Sequence, residues 1–206
     1  MTVAESGERV ILLHGLWLGG YALAWLARRL RRQGFVTEIH SYPSLRERPE
    51  AAADRLRKRL MANPQQTTHL IGHSLGGMIA TLASAGQSIP GRTLCLGSPL
   101  KGSAVAARVA TVVPGWLGQS RGLLLEGVAD WTGPRALGMI AGDRGIGLGR
   151  LALAIAPPHD GTVAVTETRL PGLAAHLQLP LSHSGLIFSD RVAIAAERFL
   201  RLGRFE

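Results

Sequence analysis

Short apolar runs alternate with longer amphipathic segments along most of the chain. Apolar runs of about four to eight residues are typical of buried strands, and apolar residues at three- and four-residue spacing are typical of helices. Strands joined by helices of about ten residues or more form parallel sheets with helices on both faces. The alternation therefore predicts a doubly wound α/β domain with a mostly parallel sheet. The predicted strands are VILLHG (10–15), FVTEIHSYP (35–43), THLIG (68–72), RTLCLGSP (92–99), RALGMIAG (135–142) and AHLQLP (175–180).

Length and composition indicate a single domain over residues 1–206. With 206 residues, of which 46% are hydrophobic and 18% charged, the chain can bury a sizeable core, and collagen-like, disordered and coiled-coil classes are excluded. The alternation breaks down at about 101–134, an apolar, helix-like stretch interrupted by Pro114 and several glycines. Such an excursion between strands either packs on the core or covers a pocket. We predict a short helical cap-like insertion there.

Charge and cysteine content limit which compartment and which partners are expected. No secretion signal is visible in the N-terminal stretch, and the one cysteine, Cys95, cannot form an internal disulfide, so we expect a cytoplasmic protein. The net charge of +9 lies mostly on helix-like segments without interleaved aromatic residues, which argues against nucleic-acid binding. The oligomeric state stays open.

The stretch THLIGHSLGGMIA places Ser74 between Gly72 and Gly76, directly after a strand and before a helix. A plain strand-to-helix turn is one interpretation. The other is a nucleophile on a sharp, strained turn, in which a side chain at either glycine would collide with neighbouring elements. Such a turn exposes the serine hydroxyl at the carboxyl edge of the sheet and aims the N–H of Leu75 at a bound carbonyl oxygen.

A serine hydroxyl needs a base to take its proton, and a histidine is the usual base. Where a serine stands on an elbow of this kind, the acid and then the base follow it along the chain. Three of the seven histidines follow Ser74, namely His159, His176 and His183. His176 lies inside a strand pattern, whereas His183 lies on the loop after the last strand and can reach back to the sheet edge. We favour His183 and keep His176 as the second candidate.

A carboxylate must orient the histidine and stabilise the imidazolium that forms. Asp160 and Asp143 both follow sheet-like segments, and Glu167 lies close downstream of the first. Asp160 and Gly161 form a turn before an apolar run, which can hold the carboxylate rigidly near the sheet edge. We favour Asp160 and retain Asp143 as the alternative, since Asp143 can instead end its strand.

A second donor for an oxyanion is expected in HGLWLGG (14–20), after the first strand. Gly15 lets the backbone turn so that the N–H of Leu16 can aim at the oxyanion. A plain glycine-rich turn is the alternative, and the spacing of a dinucleotide-binding fingerprint is absent. His69 and His73 lie on a strand and a turn rather than one helix face, so a metal pair is not expected there.

The motifs LLHGL, GHSLGG, DGTV and HSGLIFS occur in this order, and with LGSPLKGSAVA the chain resembles the α/β-hydrolase superfamily. Within it, the chain is most similar to small bacterial lipase- or esterase-like serine hydrolases. The resemblance implies a minimal sheet of about six strands and hydrolysis of carboxylic esters through an acyl-enzyme, without cofactor or metal. The expected partner is therefore a small-molecule ester or acyl substrate, with at most transient contact with a lipid surface. It implies Ser74 as nucleophile, Asp160 as acid, His183 as base, and Leu16 and Leu75 as oxyanion donors. An acyltransferase, a thioesterase or a non-catalytic binding protein of the same fold stays open as the alternative.

Overall fold

The computed structural model describes residues 7–145 and 155–206. One sheet is formed by β1 (Arg9–Leu13), β2 (Val36–His40), β3 (Thr68–His73), β4 (Thr93–Leu96), β5 (Leu137–Gly142) and β6 (Ala175–Leu179). Their order across the sheet is β2-β1-β3-β4-β5-β6, and every neighbouring pair is parallel. The predicted doubly wound sheet of about six strands is confirmed. The glycine-rich connection that follows Asp143 falls largely on 146–154, and the N-terminal stretch includes 1–6; both ranges lie outside the described residues.

Helices cover both faces of the sheet because successive strand side chains point to opposite sides. In β1, Ile11 and Leu13 pack towards one face, whereas Val10 and Leu12 pack towards the other. The helices α2 and α3 bury their apolar residues on the first face, and α1 and α6 on the second. The bounds are α1 (Ala24–Arg32), α2 (Pro49–Met61), α3 (Leu75–Ser84), α4 (Ala104–Val112), α5 (Arg121–Glu126) and α6 (Asp190–Leu202).

The C-terminal stripe predicted from helical spacing is buried on α6 against the second face of the sheet. Its members are Val192, Ala195, Ala196, Phe199 and Leu200. Phe199 comes within reach of β5 only because Gly138 carries no side chain, since a Cβ there would lie 2.5 Å from the Phe199 ring. None of the helices in the described ranges is long and apolar enough to cross a membrane.

The stretch 101–134 leaves the sheet after β4 and returns to it at β5. It contains α4, a 3-10 turn at Gly118–Ser120 and α5. Its start is tied to α5 and to the residues after that helix, because the N–H of Val128 donates to the Leu100 carbonyl at 2.8 Å and the N–H of Ser103 donates to the Leu124 carbonyl at 2.8 Å. Glu167 anchors the start of α4 by accepting the N–H of Ala104 at 2.6 Å. That this stretch works as a cap stays a prediction.

All six strands run the same way, so their carboxyl ends share one edge of the sheet. The loops after β1, β3, β4 and β6 meet at that edge, where ligand sites of open parallel sheets form. Leu16, Ser74 and His183 lie on these loops, Leu75 begins α3, and Asp160 lies in the described stretch that precedes β6, whereas the alternative base His176 lies within β6.

Candidate active site

Ser74 lies at the tip of a sharp turn between β3 and α3. Its backbone has φ +56° and ψ −123°, a conformation that a residue with a side chain rarely adopts and that costs about 1–3 kcal/mol. The turn is held because the N–H of Ser74 donates to the Leu96 carbonyl at 2.9 Å. The side chain is partly exposed and faces a cavity at the carboxyl edge of the sheet.

The glycines around Ser74 are required by the close approach of backbone to backbone. A Cβ on Gly72 would lie 2.3 Å from backbone atoms of Gly76, and a Cβ on Gly76 would lie 2.4 Å from the Leu13 carbonyl oxygen. No shift of a flexible side chain could relieve either contact. The strained turn expected from the sequence is therefore present, with its two glycines packed as predicted.

Asp160 and His183 form a hydrogen-bonded pair. Asp160 Oδ2 lies 2.7 Å from His183 Nδ1, and Asp160 is only 1% exposed. The other carboxylate oxygen, Oδ1, accepts the N–H groups of Thr162 at 2.9 Å and Val163 at 2.7 Å. The His183 N–H also donates to the Asp160 carbonyl at 2.9 Å. Because a carboxylate only accepts, Nδ1 of His183 carries the proton and Nε2 is left as the basic nitrogen.

The alternative acids and base lie in other surroundings. Asp143 accepts a hydrogen bond from Gln178 Nε2 at 2.8 Å just beyond the end of β5. Glu167 accepts the N–H groups of Ala104 and Ala164, and burial raises its pKa. His176 Nε2 pairs with the Thr168 hydroxyl at 2.9 Å, and burial lowers its pKa to about 4. Within the described residues, none of the three makes a hydrogen bond to Ser74 or His183.

Ser74, His183 and Leu16 line one cavity of about 270 Å³. No hydrogen bond joins Ser74 Oγ to His183 among the described residues, although both open onto this cavity; such bonds are commonly long before substrate binds. The N–H groups of Leu16 and Leu75 have no acceptor in the described parts of the chain. Leu75 begins α3, so its free N–H stands at the positive end of the helix dipole. The apolar residues of 101–134 that line the cavity are Val105, Ala106, Val109, Leu117 and Leu124.

A wider apolar groove of about 870 Å³ continues from this cavity. The two share Trp17, Val105, Val109 and Thr162 as lining residues. Trp17 is held at their junction in a positive-φ conformation, φ +59°, and its indole N–H donates to the carbonyl of Trp116 at 3.0 Å. Trp17 and Trp116 are 45% and 59% exposed, so the groove opens to solvent between the loop after β1 and the 101–134 stretch.

Sequence reasoning missed several residues that hold the site together. His73, fully buried beside Ser74, contacts the His183 ring at a centroid distance of 4.6 Å, and its Nε2 lies 3.1 Å from the His183 carbonyl. Burial lowers its pKa to about 3, so the ring is neutral and Nε2–H donates. Gly97, at φ +57°, leaves the space for the acid–base pair, since a Cβ there would lie 3.0 Å from Asp160 Oδ2 and 3.2 Å from His183 Nδ1. The glycine in LGSP was a usable signal for a turn, but not for this contact.

The loop after β1, which carries Leu16, is also backed by residues that the motifs did not reveal. His14 stacks on Tyr42 with ring centroids 4.4 Å apart and an interplanar angle of 6°. The Tyr42 hydroxyl donates to the His14 carbonyl at 2.5 Å, and His14 Nδ1 lies 2.9 Å from the Gly15 carbonyl. The backbone that precedes Leu16 is therefore fixed by side chains of two different loops.

Chemically, the arrangement combines four groups at one cavity. They are a hydroxyl on a strained turn, a histidine with a free basic nitrogen, a buried carboxylate that fixes its tautomer, and two unpaired amide donors. These are the groups required for attack on a carbonyl carbon. Among the described residues, no cluster of three histidine, cysteine, aspartate or glutamate side chains could hold a metal ion.

Comparison with known proteins agrees with the fold described above. A model of the alpha/beta hydrolase family matches residues 10–201. No curated protein sequence matches the chain significantly. Among solved structures, the mature lipase BlEst2 of Bacillus licheniformis is similar over 95% of this chain and 91% of its own, with a TM-score of 0.71 and 17% identity.

Two further solved structures share the fold. A metagenomic carboxyl esterase, MGS0156, is similar over 89% of this chain and 66% of its own, with a TM-score of 0.65 and 17% identity. RedJ, a thioesterase of the prodiginine pathway in Streptomyces coelicolor, is similar over 96% of this chain and 87% of its own, with a TM-score of 0.63 and 13% identity. At such identities the likeness shows the fold alone.

Proposed function

Because the chain belongs to the alpha/beta hydrolase family, we propose that it is a serine hydrolase that cleaves carboxylic esters through an acyl-enzyme on Ser74. The proposal rests above all on the pair of Asp160 and His183. The carboxylate is buried, is satisfied on both oxygens, and holds Nδ1 of the imidazole at 2.7 Å. The basic Nε2 then belongs to a histidine that shares a cavity with the strained serine.

In the proposed reaction, Nε2 of His183 takes the proton of Ser74 Oγ as Oγ attacks the ester carbonyl carbon. The tetrahedral oxyanion accepts the N–H groups of Leu16 and Leu75, and Asp160 stabilises the imidazolium. The intermediate collapses as the bond from carbon to the leaving oxygen breaks and His183 returns its proton to that oxygen. Water, deprotonated by His183, then attacks the acyl carbonyl carbon. As the bond from that carbon to Ser74 Oγ breaks, His183 returns the proton to Oγ, and the acid leaves.

The shape of the site supports an ester with an apolar acyl group. Val105, Val109 and Leu117 give the cavity an apolar wall, and the wider groove continues this wall along α4. Apolar walls of this kind stabilise alkyl groups by about 25 cal/mol for each square ångström removed from water. We infer that the acyl chain lies along this wall and that the alcohol departs towards solvent.

A thioesterase is the second candidate, since RedJ is a thioesterase that shares this fold. The same groups would act on a thioester, whose leaving group is a thiolate. Rates on matched butyryl esters of p-nitrophenol and of a small thiol distinguish the two candidates. A kcat/KM at least tenfold higher for the thioester, after correction for the uncatalysed rates, would favour the thioesterase.

A fluorophosphonate probe with peptide mass mapping tests the proposal directly. We expect covalent mass on the Ser74 peptide of the wild type, none in Ser74→Ala and much less in His183→Ala, because only an activated hydroxyl attacks the probe. Ser184→Ala is the matched control, since Ser184 lines the same cavity but has no proposed role, and its labelling should match the wild type. A folded wild type that takes no label would favour a non-catalytic binding protein of this fold.

A further inference from the structure

The oxyanion donors are backbone groups, so their direction depends on whatever holds their peptides. Leu75 needs no external support because α3 fixes its N–H. Leu16 lies on a loop, next to Trp17 in its positive-φ conformation, and nothing in regular secondary structure determines which way the peptide between Gly15 and Leu16 faces. The buried side chains of His14 and Tyr42 hydrogen-bond to that peptide and to the one before it, respectively.

His14 has one consistent protonation state in these surroundings. Its Nδ1 faces the Gly15 carbonyl at 2.9 Å and must therefore donate. Its Nε2 faces the N–H of Tyr42 at 3.4 Å and must therefore accept. Burial lowers the pKa of His14, which favours the neutral ring that both contacts require. The ring is thus a neutral imidazole protonated at Nδ1.

The direction of the Leu16 N–H follows from peptide geometry. In a trans peptide the carbonyl of one residue and the N–H of the next point in opposite directions. Because the Gly15 carbonyl points at the His14 ring, the Leu16 N–H points away from it. Gly15 itself lies against Ser74, since a Cβ there would be 3.0 Å from Ser74 Cβ. Leu16 lines the Ser74 cavity, and its N–H has no acceptor among the described residues.

Tyr42 fixes the preceding peptide and the ring together. Its hydroxyl donates to the His14 carbonyl at 2.5 Å while its ring stacks on the imidazole. Burial raises the pKa of this phenol, so the hydroxyl keeps its proton and stays a donor. The Gly15 carbonyl also accepts the Leu18 N–H at 3.4 Å, a longer and weaker contact than the one to His14.

We propose that His14 and Tyr42 are positioning residues that hold the peptide between Gly15 and Leu16 with its N–H directed at the oxyanion. This proposal rests on the proposed function for its catalytic consequence, but its geometric content does not. If the His14 donor is lost, the peptide can rotate, and the oxyanion is left with Leu75 as its one firmly held donor. Loss of a whole donor costs about 10²–10³ in kcat.

The variants for a test separate this role from packing. His14→Phe keeps an aromatic ring to stack on Tyr42 but removes the donor, and Tyr42→Phe removes one hydroxyl. His40→Phe is the matched control, because His40 is a buried histidine at the end of β2 whose Nε2 has no partner among the described residues. Each folded variant is assayed for kcat and KM on a p-nitrophenyl ester and for affinity towards a boronic acid that forms a tetrahedral anion on serine.

We expect kcat to fall about 10- to 100-fold in His14→Phe with KM within threefold of the wild type, because the lost interaction is made in the transition state. The boronic acid should weaken by a similar factor. Tyr42→Phe should lose about three- to tenfold, and His40→Phe should match the wild type. Unchanged kcat and boronic acid affinity in His14→Phe, or an equal loss in His40→Phe, would overturn the proposal. If His14→Phe does not fold, Tyr42→Phe decides by the same criteria.

Nitrogen-15 NMR gives a readout that does not depend on turnover. The His14 ring nitrogens should report the neutral form protonated at Nδ1, and the Leu16 amide resonance should shift in His14→Phe but not in His40→Phe. A ring protonated at Nε2 alone, or an unshifted Leu16 amide, would refute the proposed positioning even in an inactive protein. A wild type that shows the expected tautomer and shift but takes no fluorophosphonate label would instead refute the proposed function while supporting the positioning.

Discussion

The two sides of the Ser74 cavity are built by different physical means. The floor consists of Ser74, His183 and the peptide between Gly15 and Leu16, backed by buried His73. It is held by directed hydrogen bonds and by backbone contacts in which an added Cβ would lie within about 3 Å of its neighbours. The roof consists of apolar side chains of the 101–134 stretch, namely Val105, Ala106, Val109, Leu117 and Leu124.

Under the proposed function, the hydrogen-bonded side carries the groups that react, and the apolar side carries the surface that holds the acyl group of the substrate. Hydrogen bonds fix atoms to within fractions of an ångström, whereas apolar contact depends mainly on the area removed from water. A change on the floor should therefore affect kcat for every substrate, whereas a change on the roof should affect which acyl groups fit. Each experiment below tests whether that separation holds.

The largest effect is expected at the acid. Asp160→Asn keeps the shape of the side chain but can leave His183 with the wrong tautomer, and we expect kcat on a p-nitrophenyl ester to fall about 10⁴-fold. Asp143→Asn serves as its control, because Asp143 pairs with Gln178, and its kcat should stay within twofold. If Asp143→Asn alone inactivates the protein, the acid has been assigned wrongly.

A smaller loss is expected at Gly97, which tests whether the floor tolerates one added carbon. Gly97→Ala would put its Cβ close to Asp160 Oδ2 and His183 Nδ1, and displacement of that pair should lower kcat about 10- to 100-fold. Gly86→Ala provides the comparison, since Gly86 also has a positive φ, +69°, but has open space around it. Both variants should lose about 1–2 kcal/mol of stability, but kcat should fall only in Gly97→Ala. Equal kcat in the two variants would mean that Asp160 and His183 can accommodate the added Cβ without losing their geometry.

Low pH should reduce the stability of the folded protein through His73, which backs the floor of the cavity. Its pKa is about 3 in the folded chain against 6.5 as its ordinary value, because burial disfavours the charged form. Between these values the unfolded chain binds more protons, so the free energy of unfolding falls as pH falls from 7. By pH 5 this one group should account for about 2 kcal/mol of lost stability.

The check is urea unfolding at pH 7 and pH 5 for the wild type and for His73→Gln. Glutamine does not titrate and still offers an N–H for the His183 carbonyl. The wild type should lose about 2 kcal/mol more than His73→Gln between the two pH values. Parallel losses in the two proteins would show that His73 does not titrate as described.

The smallest effect is expected on the roof, where Val109 lines both the cavity and the groove. Val109→Trp should fill the space for a long acyl chain and lower kcat/KM for an octanoate ester about tenfold, since steric exclusion of a few methylenes is worth about 1–3 kcal/mol. The acetate ester should react within twofold of the wild type. An equal fall for both esters would mean that Val109 affects the reacting groups rather than the fit of the acyl chain.

Much of the floor could be anticipated from local sequence, and the roof could not. The glycines at 72 and 76 follow a buried strand and precede a helix, and that local order predicts the turn that the structure contains. Asp160 and His183 follow Ser74 in the chain order expected for a hydrolase, and they lie 2.7 Å apart at Oδ2 and Nδ1. Their catalytic roles stay predictions until the variants are measured.

The supporting contacts escaped sequence reasoning because they join distant residues. His14 and Tyr42 are 28 residues apart, and His73 and His183 are 110 apart. Nothing in the local pattern around Tyr42 shows that its ring stacks on an imidazole of another loop. The roof is harder still, because its apolar residues fit equally well in a core helix, and the sequence left both interpretations open.

The two backbone hydrogen bonds that tie the start of the 101–134 stretch to α5 and to the residues after that helix have a consequence for how proteins of this fold can diversify. The backbones of Leu100 and Val128 are hydrogen-bonded to each other, as are those of Ser103 and Leu124. Residues 104–123 therefore leave and rejoin the rest of the chain at one place, whatever their length. Segments of other lengths could be exchanged there, by evolution or by an engineer, without moving the strands on either side. Under the proposed function, such an exchange changes which substrates fit, while Ser74, Asp160 and His183 stay in place.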